Sequence, residues 1–161
     1  MTEAIDIEPL SDRELTLGRI IAAPRRAVWR CWTEPQLLKQ WYCPKPWYVS
    51  EARLDVRTHG ASFIVMNGPN GERQEWPGLY LEVVPDEKLV FTDAFSSAWV
   101  PSGQPFMVGI VEFADHAKGT LYTARVRHWT MENRDAHLAM GFHEGWGAAA
   151  QQLEELARSV A

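Results

Sequence analysis

Cysteine is scarce in this 161-residue chain: Cys31 and Cys43 are the only two, and they form neither a CxxC pair nor a dense framework. A disulfide scaffold is therefore not indicated, and buried free thiols are expected. Positive charge is also short, with 16 Lys and Arg against 21 Asp and Glu for a net charge of −5. That balance argues against a phosphate-tracking surface, and so against nucleic acid as a partner. No apolar run approaches the roughly 18 residues of a membrane span. The opening Thr2-Glu3-Ala4-Ile5-Asp6-Ile7-Glu8 has neither the basic start nor the apolar middle of a signal peptide. A cytoplasmic protein with no membrane insertion is the expectation. Pro/Gly/Ser linkers, internal repeats and low-complexity tracts are missing too, which predicts one domain over residues 1–161 with the first twelve residues flexible.

Metal-ligand spacing is absent as well. His59, His116, His128, His137 and His143 show no HxxxH pattern, and His137 and His143 are six residues apart, which does not place them on one helical face. No Gly-rich phosphate loop or GxSxG elbow occurs. Neither a metal nor another cofactor is expected. Cys43 precedes Pro44 and lies near Lys45, but a nucleophile needs a positioned base that the sequence does not supply.

What the chain has in surplus is aromatic rings: eight tryptophans, four tyrosines and six phenylalanines. Tryptophan is large and carries an indole N–H, so this many rings suit either the lining of a concavity or the packing of helices on a sheet, with Trp29, Trp32 and Trp41 the test cases.

Glu14 to Ile21 reads as a first strand, because Gly18 interrupts any helical stripe. Pro24 opens a short helix whose Val28, Cys31 and Trp32 share a face. Thr33-Glu34-Pro35-Gln36 resembles a capping box before a second short apolar face of Leu37, Leu38 and Trp41. From Trp47 to Trp129 the apolar period shortens toward two. Turn signals at 58–60, 67–71, 85–88, 96–104 and 115–119 divide this stretch into six strands of an antiparallel meander. Strict alternation sets Leu79, Leu81 and Val83 on one face, opposite Tyr80 and Glu82, and puts Leu89, Phe91, Asp93 and Phe95 together. Phe142, Trp146, Ala149, Leu153, Leu156 and Val160 then form one long helical stripe, although Gly141, Gly145 and Gly147 weaken its first turns. The prediction is an α+β fold: a curved antiparallel seven-stranded sheet, two short helices, and a long C-terminal helix over the concave face.

These elements carry a family pattern. Ala23-Pro24-Arg25-Arg26-Ala27-Val28-Trp29, Trp41-Tyr42, Leu54-Asp55-Val56-Arg57 with Gly60, and Met66 to Gly71 form an ordered series. It continues through Gly78 to Pro85, Lys88 to Thr92, Gly119-Thr120 and Gly145-Trp146. The series resembles the bacterial activator-of-heat-shock-protein-90-ATPase-like family of the START-like (SRPBCC, helix-grip) superfamily. Ala61 stands where that family usually has a second glycine after Gly60. The resemblance implies a cavity between the concave sheet face and the C-terminal helix, used across the superfamily for hydrophobic ligands. It implies no single reaction.

Within that frame Tyr122, Ala124, Val126 and His128 are expected to face inward on the last strand. His128 is a candidate ligand contact or, alternatively, a ring bonded to a backbone carbonyl at the strand end. Asp93, on an apolar face, needs a buried donor or a place at the solvent end. The leading expectation is a noncatalytic protein that binds a small apolar or amphipathic molecule. Phe91, Tyr122, Val126, Phe142 and Trp146 would be its walls, and His128 and Asp93 its orienting polar groups. A cyclase- or hydrolase-type enzyme would use His128 and Asp93 as acid and base instead. A co-chaperone of heat-shock protein 90 would dock through Trp99-Val100-Pro101 or Trp47. The segments 41–47 and 99–106 are expected as two mobile flaps at one rim.

Overall fold

The computed structural model describes residues 2–161; Met1, part of the expected flexible N-terminus, lies outside them. Eight strands form one antiparallel sheet: β1 (Glu3–Ile5), β2 (Glu14–Ile21), β3 (Tyr48–Leu54), β4 (Ala61–Asn67), β5 (Arg73–Val84), β6 (Lys88–Thr92), β7 (Met107–His116) and β8 (Gly119–His128). Their spatial order is β1-β2-β8-β7-β6-β5-β4-β3, a meander that returns to the N-terminal strands at one edge and leaves the sheet unclosed. Among the described residues four α-helices, α1 (Arg25–Thr33), α2 (Pro35–Leu38), α3 (Met131–Ala139) and α4 (Phe142–Val160), and one short 3-10 turn at Ser97–Trp99 complete the fold. All six strands expected between Trp47 and Trp129 form, and their connections fall on the turn signals.

The count of seven strands is corrected to eight because Glu3, Ala4 and Ile5 pair with Ile20, Arg19 and Gly18. The segment behind them makes hydrogen bonds to β2. Thr16 Oγ1 donates to the Ile7 carbonyl at 2.6 Å, and the Leu10 N–H donates to Glu14 at 2.9 Å. Glu14 is almost fully buried and is held by Arg125 Nη1 at 2.7 Å and Arg127 Nε at 2.9 Å. Burial alone would raise its pKa, but the Arg127, Leu10 and Arg125 donors together hold it below the usual carboxylate range.

Two local expectations also change. Thr33 does not cap α2: its hydroxyl donates back to the Trp29 carbonyl at 2.8 Å, and Glu34 occupies the cap position. On β5 a bulge falls between Tyr80 and Glu82, so Tyr80 pairs with Phe91 and Val83 with Leu89. One inserted residue resets the two-residue period. Tyr80 and Val83 therefore share the concave face, which strict alternation splits.

Of the sequence stripe on α4, Phe142, Ala149 and Leu153 are buried and Trp146, Leu156 and Val160 are partly buried against the core, with Ala157 a buried residue that the stripe leaves out. Glu144, Gln151, Glu155 and Arg158 are exposed. Leu153, Val126, Ala124, Val111 and Val28 have no exposed surface and join α1, α4 and the centre of the sheet in the main core. Helix α3 is an addition to the expected elements. The Thr130 hydroxyl caps it by accepting from the Asn133 N–H at 3.0 Å, and Gly141, in the left-handed region at φ 88°, turns the chain from α3 into α4. No helix among the described residues is long and apolar enough to cross a membrane.

Candidate functional site

Between the concave face of β4–β6 and the first half of α4 lies a cavity of about 530 Å³. That is within the usual range for small-molecule sites, roughly 300–1,000 Å³. Five tryptophans line it, Trp32, Trp41, Trp47, Trp76 and Trp146, so the aromatic surplus goes mostly to this concavity. Trp29 takes the other role, packing edge-on against Phe113 in the core with centroids 5.8 Å apart.

One wall is a ring cluster built from α1 and the chain after α2. Trp32 meets Trp41 at 4.9 Å, Phe91 at 5.7 Å and Tyr42 at 5.9 Å between centroids. The Trp32 indole donates to the Tyr122 hydroxyl at 3.2 Å, and the Trp41 indole to the Cys31 carbonyl at 2.8 Å. Phe91 owes its place to Gly109 on the next strand, where an added Cβ would sit 2.5 Å from the Phe91 ring. Tyr42, Tyr80 and Tyr122 all border the cavity. Burial pushes the Tyr42 phenol up to about 12; burial and then Tyr42 raise Tyr80, and Tyr122 is raised by burial despite the Trp32 hydrogen bond. The three therefore stay neutral hydroxyls, each able to donate and accept.

The opposite end is built around His137 on α3. Its ring lies 5.0 Å from Phe106, 5.1 Å from Phe142 and 6.4 Å from Trp146 between centroids. Asp93 fixes the first of these neighbours, because its Oδ1 accepts from the backbone N–H groups of Phe106 at 2.9 Å and Met107 at 3.1 Å. Gly145 faces the cavity between Phe142 and Trp146, and an added Cβ there would meet nothing within 4 Å. The weak helix former at this position is neither before the helix nor pressed against another surface. It leaves room.

A family model described as Activator of Hsp90 ATPase homolog 1-like protein matches residues 22–158. The chain belongs to that family. A crystal structure of a protein from Nitrosomonas europaea is 40% identical, with a TM-score of 0.90 over 92% of this chain and 96% of its own. A Mycobacterium smegmatis protein, 24% identical, aligns with a TM-score of 0.80 over 96% of both chains. An AHSA1-like protein from Aeromonas hydrophila, 17% identical, aligns with a TM-score of 0.70 over 91% of this chain and 93% of its own. The last two likenesses are likenesses of fold. No match was found among curated proteins.

On this Activator of Hsp90 ATPase homolog 1-like fold the expected site residues separate. Phe91, Tyr122, Phe142, Trp146 and Asp93 border the cavity. Val126 does not: it is wholly buried in the main core beneath. His128 also lies behind the cavity wall, 4% exposed, with Nδ1 2.9 Å from the Arg13 carbonyl and Nε2 2.9 Å from His137 Nδ1. Both of its nitrogens are engaged, and Asp93 Oδ1 accepts from two amides. The residue that sequence reasoning misses is His137, whose one signal is the Thr130 cap of an otherwise polar helix. Tyr80 is lost to the bulge.

The two expected flaps are not alike. Gln152 on α4 fastens the 41–47 segment: its Nε2 donates to the Trp41 and Cys43 carbonyls, each at 2.9 Å, and its Oε1 accepts from the Lys45 N–H at 3.2 Å. In the other segment only Phe106 borders the cavity, while Trp99 packs on His59 at 4.8 Å, in the turn before β4. Cys31 and Cys43 are free and buried, and burial pushes both thiols up to about 11, which leaves neither activated. Among the described residues no group of three or more His, Cys, Asp or Glu side chains is placed to hold a metal ion.

Proposed function

We propose that this chain is a binding protein that encloses a small apolar or amphipathic molecule between its sheet and α4. The observation that carries the reading is the unfilled space at Gly145. A sequence selected only for stability gains from a side chain in a helix interior and from filling a void, yet here a helix glycine faces open cavity volume ringed by aromatic side chains. The neutral hydroxyls of Tyr42, Tyr80 and Tyr122 supply the few polar contacts that would orient a mostly apolar guest. The engagement of His128 and Asp93 within the fold favours binding over acid–base turnover.

Native mass spectrometry of protein purified without lipid stripping tests this. A reproducible added mass that disappears on organic extraction is expected. Protein that carries no added mass and binds no apolar probe would contradict the reading.

A second reading is supported by a different surface. Trp99 and Val100 are 50% and 55% exposed at the tip of the loop between β6 and β7, away from the cavity. An apolar loop tip of this kind suits docking to a protein partner, and the family description names the Hsp90 ATPase. Capture of a bacterial Hsp90 by the native chain, lost in Trp99→Ala, would favour it; equal capture by both would not.

A further inference from the structure

Three groups in a row reach from the chain entering β2 to the edge of the cavity. The Arg13 carbonyl lies 2.9 Å from His128 Nδ1, and His128 Nε2 lies 2.9 Å from His137 Nδ1. The donor and acceptor roles along this row are not free choices. A carbonyl oxygen can only accept, so His128 Nδ1 carries the hydrogen. With His128 neutral, its Nε2 is then a lone pair, and the only hydrogen that can fill the second bond is one on His137 Nδ1. A neutral His137 that carries its hydrogen on Nδ1 has a bare lone pair on Nε2.

Both rings are neutral near pH 7. Burial lowers the pKa of His128, with Arg134 lowering it further and the Arg13 carbonyl and Asp93 opposing. Burial, and then His128, lowers His137 to about 4. Among the described residues Nε2 of His137 has no partner, and the ring borders the cavity inside the cage of Phe106, Phe142 and Trp146.

We propose that His137 Nε2 is a fixed hydrogen-bond acceptor in the cavity, locked in that role by the Arg13–His128 relay, and that the cavity selects guests bearing a neutral O–H or N–H donor on an aromatic body. This rests on the reading of the cavity as a ligand site. The relay makes the selection strict, because turning His137 into a donor requires both rings to change tautomer and sets a lone pair against the Arg13 carbonyl. Such a site rejects ethers and carboxylates of the same shape: an ether brings no hydrogen, and a carboxylate sets its charge against the lone pair in an apolar cage. His128 acts here through His137, as a positioning residue. The weak basicity of His137 suits acceptance of a hydrogen bond rather than removal of a proton, which wants a base with a pKa near the working pH.

The test uses 2-naphthol and 2-methoxynaphthalene as a matched pair, with affinities measured by fluorescence for wild type and His137→Phe. Wild type is expected to prefer the naphthol by at least about tenfold, consistent with one buried hydrogen bond. His137→Phe, which keeps a ring in the cage, should bind both compounds with similar affinity. Equal binding of the two by wild type would overturn the donor selection while leaving the cavity as a binding site. Failure to bind either compound would overturn both. Should His137→Phe fold poorly, nitrogen-15 ring spectra of wild type decide separately: a hydrogen on Nδ1 of both histidines is expected, and one on Nε2 of either would refute the relay.

Discussion

The two halves of α4 are made of the same helix on the same sheet, yet they do opposite things. From Ala150 onward the inward positions are Ala150, Leu153 and Ala157, all buried, and the helix packs on α1 and β2. Before Ala149 the inward positions are Phe142, Gly145 and Trp146, and they stand over open volume. Small side chains let two surfaces approach, and large rings around a glycine hold them apart. One helix thus closes the fold at its C-terminal half and roofs a cavity at its N-terminal half, and stability and binding are separable along its length.

That separation predicts a graded set of responses. Leu153→Ala, at a position with no exposed surface, should lower unfolding stability by about 2–5 kcal/mol in denaturant melts. A loss below about 0.5 kcal/mol would show that the C-terminal half is not the tightly packed one. The next effect is one of pH. The folded pKa of His137, about 4, lies below its ordinary value of 6.5, so between these values the unfolded chain binds more protons than the folded one. Stability should therefore fall as pH drops from 6.5 toward 4, by about 1–3 kcal/mol once the partial exposure of the ring is allowed for. His137→Phe should flatten that slope. The buried Glu14 contributes in a lower window: its pKa is lowered, so its contribution is lost only as pH falls below about 4.5. Equal slopes for wild type and His137→Phe between pH 6.5 and 5 would refute the burial of a neutral ring at this end of the cavity. The smallest effect is expected at Gln152, which fastens the 41–47 segment to α4. Gln152→Ala should cost about 1–2 kcal/mol and speed amide exchange at Lys45. Unchanged exchange there would show that the segment is held by its rings alone.

Most of the fold is legible in the amino-acid sequence. The meander from Tyr48 to His128 is readable because its turns carry glycine, asparagine, aspartate and proline, and the inward face of β8 follows from simple alternation. The α4 stripe is readable because its period stays close to that of a helix over five turns. The site is harder for identifiable reasons. Alternation separates Tyr80 from Val83, which share the concave face, because a bulge adds a residue that no local signal announces. His128 is indeed an inward histidine, but the ring that borders the cavity belongs to α3, a helix with no buried residues and so almost no periodic signal. Asp93 needs a buried donor and has two, the amides of Phe106 and Met107 rather than an indole. Gly145 reads in sequence only as a weak helix former; that its missing side chain faces open space depends on what stands opposite, which periodicity does not encode.

If the N-terminal half of α4 keeps its space for a guest, Gly145→Leu should close that space. Affinity for 1-anilinonaphthalene-8-sulfonate and the thermal midpoint are measured on the same two proteins, wild type and variant. The expected result is at least about a tenfold loss of affinity, or about 1.4 kcal/mol, with stability unchanged or raised by up to about 1 kcal/mol as a helix glycine is replaced. Retained affinity together with a lowered midpoint would contradict this, because it would mean that the leucine strains a packed wall and that the dye binds elsewhere.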